Sequence, residues 1–436
     1  MAIGRDMQRR FGDASGLPRL LVRNPAQLEL VDAAMLRAQA AAAGFASAQG
    51  ADQERAEALL VQSMLLREHG RRTGAAEELA KAADIADRAG RPNGGVPAEA
   101  RLELALCALA AAELFGDAAA LDAAQARLTE AEPAAQTAVQ SARRRAAAAR
   151  ANAGRALASG DLDLAIAAAE DHDGAVDALD TLARKDATLR SDAALARTAR
   201  AELLVGFALR LTEAQLAAQA ADDLAQVSDR LDPDLSPLTF CRVETLRGEA
   251  LCALGELTGD AASLAEGAAA LVCALDAAPQ AWSPTDRARA ARSLGLARQA
   301  LAEATDEPAL YDQAAESFDT ALLALADAPA LPLRAACAFD RALSLARRAE
   351  HVGDARALAW AEGALKARLA AHDPVVDPVA WACLQVALAR LYVLKELASG
   401  DPADRAHASL ALESAVEVFT ERGLKSLAEA ALATAA

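Results

Sequence analysis

The chain has 436 residues, a formal charge of -17 and a pI near 4.9, so its surface repels nucleic acid and anionic membranes. It is also too long for one compact core, since single cores stop growing at about 250–300 residues. Hydrophobic residues make up 54% of it but aromatics only 3%; this alanine-dominated fraction suits helices, whereas a sheet draws on β-branched and aromatic side chains.

The first 25 residues, MAIGRDMQRRFGDASGLPRLLVRNP, carry positive charge without the apolar run of a secretion signal, and a flexible arm is expected there. An extra helix is expected near 26–48, and the chain from 26 to 187 reads as divergent helical repeats. Turns at Gly74, Gly116 and Gly160 stand about 44 residues apart, and the phrase ASGDLDLAIAAAED over 158–171 has the grammar of a short repeat. The arginines Arg143, Arg144, Arg145, Arg150 and Arg155 spread around their helix, which favours pairing with nearby acids over a nucleic-acid patch. Glu170, Asp171, His172, Asp173, Asp177 and Asp180 lack the ligand spacing of a calcium loop and read as a solvated helix end.

From 188 to 421 the repeat becomes regular, with a period of 47 residues. A small residue recurs as Ala220, Gly267, Ala314, Ala361 and Ala408, and a large one follows four positions later as Leu224, Leu271, Phe318, Leu365 and Leu412. Val227, Ala274, Ala321, Arg368 and Ala415 come next, with Arg368 breaking the pattern. On the preceding helix the small position is Ala201, Gly248, Gly295, Ala342 and Ala389. Between the two helices sits an acid (Glu213, Asp260, Glu307, Asp354, Asp401) that can cap the second helix, often after a glycine that ends the first. Prolines at 233, 237, 279, 284, 329, 332, 374 and 378 mark the joints between repeats. Residues 422–436 read as a capping helix.

The predicted fold class is therefore all-α: a right-handed superhelical solenoid of about eight antiparallel helix pairs, stacked because one amphipathic pair cannot bury its own apolar face. The six cysteines (Cys107, Cys241, Cys252, Cys273, Cys337, Cys383) stand singly in apolar stretches and read as buried reduced thiols. The histidines His69, His172, His351, His372 and His407 are scattered, mostly at helix ends, where surface placement is expected. Trp282, Trp360 and Trp381 read as core or inter-repeat packing; an exposed one would be a candidate anchor for a partner. The chain contains no GxxxxGK[ST], GxGxxG, HExxH, GxSxG or SxxK motif. No catalytic residue, cofactor or metal is expected. No run of about 18 uncharged apolar residues occurs, so a soluble cytoplasmic protein is expected. The alanine and arginine bias, with only five lysines among 45 basic residues, is that of a GC-rich bacterial genome.

Tyr311, Ala314, Phe318 and Ala321, with Gly295 on the helix before them and the GDLDLA phrase starting at Gly160, resemble tetratricopeptide repeat proteins over most of residues 53–421. The 47-residue period and the phrase VAWACLQVALARLYVLKELASGD over 379–401 resemble the long-repeat bacterial variety. The resemblance implies a concave face lined by the first helix of each pair and used to hold a protein or peptide. The family's lining positions fall on Arg242, Glu249 and Cys252; Arg292, Leu296 and Gln299; Phe339, Leu343 and Arg347; and Cys383, Val386 and Arg390.

The arginines among these suit an acidic peptide through bidentate bonds, or they pair with neighbouring acids of the same chain; both readings stand. The expected function is a non-enzymatic scaffold or adaptor. The alternative is a regulatory sensor that binds a small ligand or peptide and acts through another protein.

Overall fold

The computed structural model describes residues 16–23, 25–90, 97–129, 137–371, 373–375 and 377–434, which form helices and turns with no strand among them. Residues 1–15, most of the expected arm, lie outside the described residues, as does His372. The rest of the arm departs from expectation: Gly16–Arg23 (α1) is helical and Leu21 is fully buried, followed by the short α2, Pro25–Leu28. The extra helix is α3, Ala33–Gln49.

Eight antiparallel pairs follow among the described residues. They are Asp52–Thr73 with Ala76–Ala89 (α4, α5), Pro97–Phe115 with Ala118–Thr129 (α6, α7), Ala138–Ser159 with Leu162–Ala183 (α8, α9) and Arg190–Leu211 with Ala214–Ser228 (α10, α11). Then come Pro237–Thr258 with Ala261–Ala277 (α12, α13), Pro284–Thr305 with Ala309–Ala324 (α14, α15), Pro332–Val352 with Ala355–Ala370 (α16, α17) and Pro378–Ser399 with Pro402–Glu421 (α18, α19). A last helix, α20, is Lys425–Thr434. This is a tetratricopeptide-like array of consecutive helix pairs. The chain divides into two compact units, Met1–Leu294 with Leu323–Arg334 and Gly295–Leu322 with Ala335–Ala436.

The 47-residue register is a packing register. Ala220, Gly267, Ala314, Ala361 and Ala408 are all buried, as are the large residues four positions on. At two of the first-helix positions, Gly248 and Gly295, the partner comes too close for a Cβ. A Cβ on Gly295 would lie 2.5 Å from the Phe318 ring, and one on Gly248 would lie 2.5 Å from Leu271 Cγ and 2.8 Å from the Gly267 carbonyl. Small and large positions thus interlock across each pair, which lets the two helices approach closely.

The turns obey the same register. Positions 212, 259, 306, 353 and 400 all have positive φ, but they are Thr, Gly, Asp, Gly and Gly. The left-handed conformation costs a residue with a Cβ about 1–2 kcal/mol, most when that residue is β-branched. Thr212→Gly is therefore expected to stabilise the first unit by about 1 kcal/mol, read as a higher urea midpoint at unchanged slope; an unchanged midpoint would contradict it. Of the turn acids, Asp260, Asp354 and Asp401 accept bonds from the first N–H groups of the following helix, whereas the longer Glu213 makes none. Pro237, Pro284, Pro332 and Pro378 each open a first helix, where the missing N–H costs nothing.

The first unit folds back on itself. The Glu29 carboxylate accepts bonds from the backbone N–H (2.8 Å) and hydroxyl (2.6 Å) of Thr239, 210 residues away. Ala33 N–H donates to the Ala281 carbonyl at 3.1 Å, and the Thr285 hydroxyl donates to the Arg71 carbonyl at 2.9 Å. Arg72 is fully buried at this seam, donating to Glu68 and to the carbonyls of Val31 and Leu28.

Two expectations for isolated residues change. His172 and His69 are buried, since the inward face of each helix takes them with its alanines, while His407 is at the surface. Cys273 is exposed and Cys252 and Cys383 are half-buried, leaving Cys107, Cys241 and Cys337 as core thiols. Trp282 and Trp381 are half-buried; Trp360 is 54% exposed on α17.

Candidate functional site

In the first unit, the predicted groove residues are occupied by their own chain. Arg242 holds Asp286 through two bonds of 3.1 and 3.0 Å, and Asp286 also takes Arg71 (3.2 Å) and the Ser283 hydroxyl (2.6 Å). Glu249 accepts from Arg289 at 3.2 and 3.0 Å and from Ser293 at 2.7 Å. Burial opposes the charge on Glu249, but Arg289, Ser293 and Arg292 outweigh it and hold the carboxyl below its usual range. Three of the five arginines between 143 and 155 are likewise engaged: Arg143 pairs with Asp192 (2.9 Å), Arg150 with Glu113 (2.5 Å), and Arg144 donates to the Leu128 carbonyl. In the acidic run, Asp173 pairs with Arg200 and Asp180 with Arg197. Among the described residues, no three His, Cys, Asp or Glu side chains gather as a metal site would require.

The second unit brings Gln299, Arg347, Val386 and Arg390 together along one groove. Phe339 packs against the core cluster of Ala342, Leu384 and Leu388 instead. Two helices supply parallel faces: Leu343, Ala346, Arg347 and Glu350 on α16, and Cys383, Val386, Ala387 and Arg390 on α18. Each set has the spacing i, i+3, i+4, i+7, which places it on one stripe of its helix, apolar first and charged last. Gln299 of α14 lies at one side, and Phe419 of α19 and Leu427, Ala430 and Ala431 of α20 close the other.

The groove has two compartments. The apolar trough, about 280 Å³, is lined by Leu343, Cys383, Val386 and Phe419 among others. It runs into a polar mouth of about 260 Å³ lined by Glu303, Tyr311, Arg347, Glu350, His351 and Arg390. Arg347, Glu350 and Arg390 belong to both.

Glu350, largely buried, accepts from Arg347 at 3.2 Å and from Arg390 at 2.7 Å. Arg347 also lies 3.6 Å from the exposed Glu303. One buried carboxylate thus serves two guanidiniums that are each about a third exposed, and their outer donors face the mouth. The Tyr311 hydroxyl lies 3.3 Å from His351 Nε2, whose Nδ1 is 3.4 Å from Asp306. Burial, then Glu303, pushes the Tyr311 phenol up to about 12, so it stays a neutral donor. Burial also pushes the Cys383 thiol up, which keeps it protonated and unreactive.

Helix α18 is long and apolar enough to cross a membrane by length and composition. Its apolarity is accounted for by use on two sides, with Leu384, Leu388 and Leu391 in the core and Cys383, Val386 and Ala387 in the trough. Glu350, Phe419 and Leu427 were not foreseen as groove residues. The repeated i, i+3, i+4, i+7 stripe would have found Glu350, but nothing local marks Leu427 as a wall.

No family model matches the chain, and no curated protein matches it. Solved structures that align with it include a Rap protein complexed with competence and sporulation factor, at 13% identity over 88% of this chain and 97% of that one, with a TM-score of 0.44. A signal transduction ATPase with numerous domains and a tetratricopeptide repeat sensor, from Pyrococcus horikoshii, aligns at 14% identity over 91% of this chain and 55% of that one, TM-score 0.49. Yeast Tom70 aligns at 13% identity over 96% and 95%, TM-score 0.24.

Proposed function

We propose that the protein is a non-enzymatic cytoplasmic scaffold or adaptor that holds a segment of a partner protein in the groove of the second unit. The observation that carries this is the continuity of an apolar trough with a two-arginine mouth, built from adjacent first helices of the array. The apolar compartment of about 280 Å³ has room for one or two apolar side chains. An acid next to those side chains in the partner would reach the outer donors of Arg347 and Arg390, with Glu350 holding the two guanidiniums in place. The groove of the first unit is a weaker candidate: Arg242 and Glu249 are paired within the chain, as Arg347 and Arg390 are, but they are less exposed, at 23% and 24% against 36% and 37%.

A random peptide library displayed on phage and panned on the purified protein tests this. Enriched sequences are expected to combine a Leu, Ile or Phe with an Asp or Glu within one helical turn. Their affinity should fall at least about tenfold for Val386→Arg, which fills the trough, and for the Arg347→Glu/Arg390→Glu double variant. Peptides that bind all three proteins equally would defeat the proposal, and selective binding of a small cofactor-like molecule would favour a sensor instead.

A further inference from the structure

We propose that the groove of the second unit binds a free α-amino acid with a large apolar side chain: its carboxylate on Arg347 and Arg390, its ammonium on Glu303, its side chain in the trough. The charges of the mouth carry this. Two carboxylates, Glu303 and Glu350, and two guanidiniums, Arg347 and Arg390, line it, so it is balanced although the chain as a whole has a formal charge of -17. A simple anion brought to the arginines would also meet both acids, and a simple cation would meet both arginines. A zwitterion meets each charge with its opposite.

Glu303 is what separates this ligand from an acidic side chain alone. Its carboxylate is 48% exposed and lies 3.6 Å from Arg347 Nε, beyond hydrogen-bond range. Glu350 is 13% exposed and bonded to both arginines, so it fixes them and has little left for a ligand. Each guanidinium gives Glu350 one of its three nitrogens, and both keep donors for a second carboxylate. An acid placed on Arg347 would stand against the Glu303 charge, and an ammonium one carbon away from that acid neutralises it. Tyr311 is 1% exposed yet lines the mouth beside His351; it adds a fixed neutral donor that leaves the charge balance intact. The trough begins where these groups end. Leu343 and Val386 precede Arg347 and Arg390 by four residues, about 6 Å along each helix, which is the reach of a leucine or phenylalanine side chain from its own charged end. Bound there, the amino acid would occupy the trough and the arginines that a partner segment needs and would release it; this consequence alone rests on the partner reading above.

The test is calorimetric titration of the full chain with L-leucine and L-phenylalanine, beside N-acetyl-L-leucine, which lacks the ammonium, and L-leucinamide, which lacks the carboxylate. Both amino acids are expected to bind, and each blocked leucine to bind at least about tenfold more weakly. Glu303→Gln, an isosteric change at an exposed position, should weaken L-leucine about tenfold and leave N-acetyl-L-leucine unchanged. Val386→Arg should abolish binding by filling the trough. The site is overturned by no binding of either amino acid at about 10 mM, by N-acetyl-L-leucine binding as tightly as L-leucine, or by equal L-leucine affinity in Glu303→Gln. Saturating L-leucine should also weaken the phage-selected peptides at least about fivefold. Peptides held equally well in its presence would overturn the release. Peptide binding without amino-acid binding would sink this inference alone, whereas L-leucine binding without any peptide would support the site and defeat the partner reading.

Discussion

Arg72→Met is expected to lower the stability of the first unit by about 3–5 kcal/mol, the usual cost of breaking a buried ion pair by removing one partner. The Arg72 guanidinium is 0% exposed and donates to Glu68 at 2.7 Å, to the Val31 carbonyl at 2.8 Å and to the Leu28 carbonyl at 2.9 Å. Methionine replaces the stem but leaves the Val31 carbonyl without its donor and the Leu28 carbonyl with the Val31 N–H alone, at 3.3 Å, and takes one cation from Glu68. Burial alone would raise the Glu68 carboxyl, but Arg71, Arg72 and Arg67 hold it down to about 2, so it remains charged after the substitution. Arg72→Lys should recover little, because a single ammonium cannot reach three acceptors arranged for a planar fork. Urea unfolding read from Trp282, with Trp360 and Trp381 changed to phenylalanine, isolates the first unit. A loss under about 1 kcal/mol would mean that the seam is not what holds the N-terminal helices.

Acidification is the second large effect. His172 is 1% exposed and neither ring nitrogen has a protein partner. Burial first, then the neighbouring Arg150 and Arg200, lowers its pKa from 6.5 to about 4, against the weaker pull of Asp171 and Asp173. The folded state thus keeps the ring neutral where the unfolded chain would protonate it. Its contribution to stability is intact above pH 6.5, falls as the pH drops through that value, and levels off below about pH 4. The loss over this window is about 3 kcal/mol. His172→Leu removes both the titration and the unpartnered nitrogens. That variant should be about 1–2 kcal/mol more stable at pH 7 and should lack this share of the decline between pH 6.5 and 4. Parallel melting curves for the two proteins across that range would refute the assignment.

The second half of the chain was legible because its packing repeats. A small residue opposite a large one every 47 positions is visible in the letters, and the structure buries those positions. The turns were legible from Gly259, Gly353 and Gly400, while Thr212 and Asp306 hid the same left-handed conformation behind residues that tolerate it poorly. The seam between residues 29–72 and 239–286 was not legible, since contacts between residues about 210 apart leave no period in the sequence. That seam is also why Arg242 faces Asp286. His172 was misjudged because it stands within a run of five acids, Glu170 to Asp180, although its own position falls on the buried face with Ala168, Ala175 and Val176. At the groove, the resemblance named Arg347, Val386 and Arg390, but the trough's far wall depends on where α20 returns, which its own ten residues do not encode.

The groove matters because a polar and an apolar surface of the array meet there, with two guanidiniums sharing one carboxylate while each stays about a third exposed. Leu343, Val386 and Leu427 offer apolar area, and Arg347 and Arg390 offer directed donors. The most direct measurement is amide hydrogen exchange of the full chain with and without a selected peptide. Protection is expected in α16, α18 and α20, with the first unit unchanged. Protection confined to α12 and the first half of α14, around Arg242 and Glu249, would contradict the assignment of the binding face to the second unit.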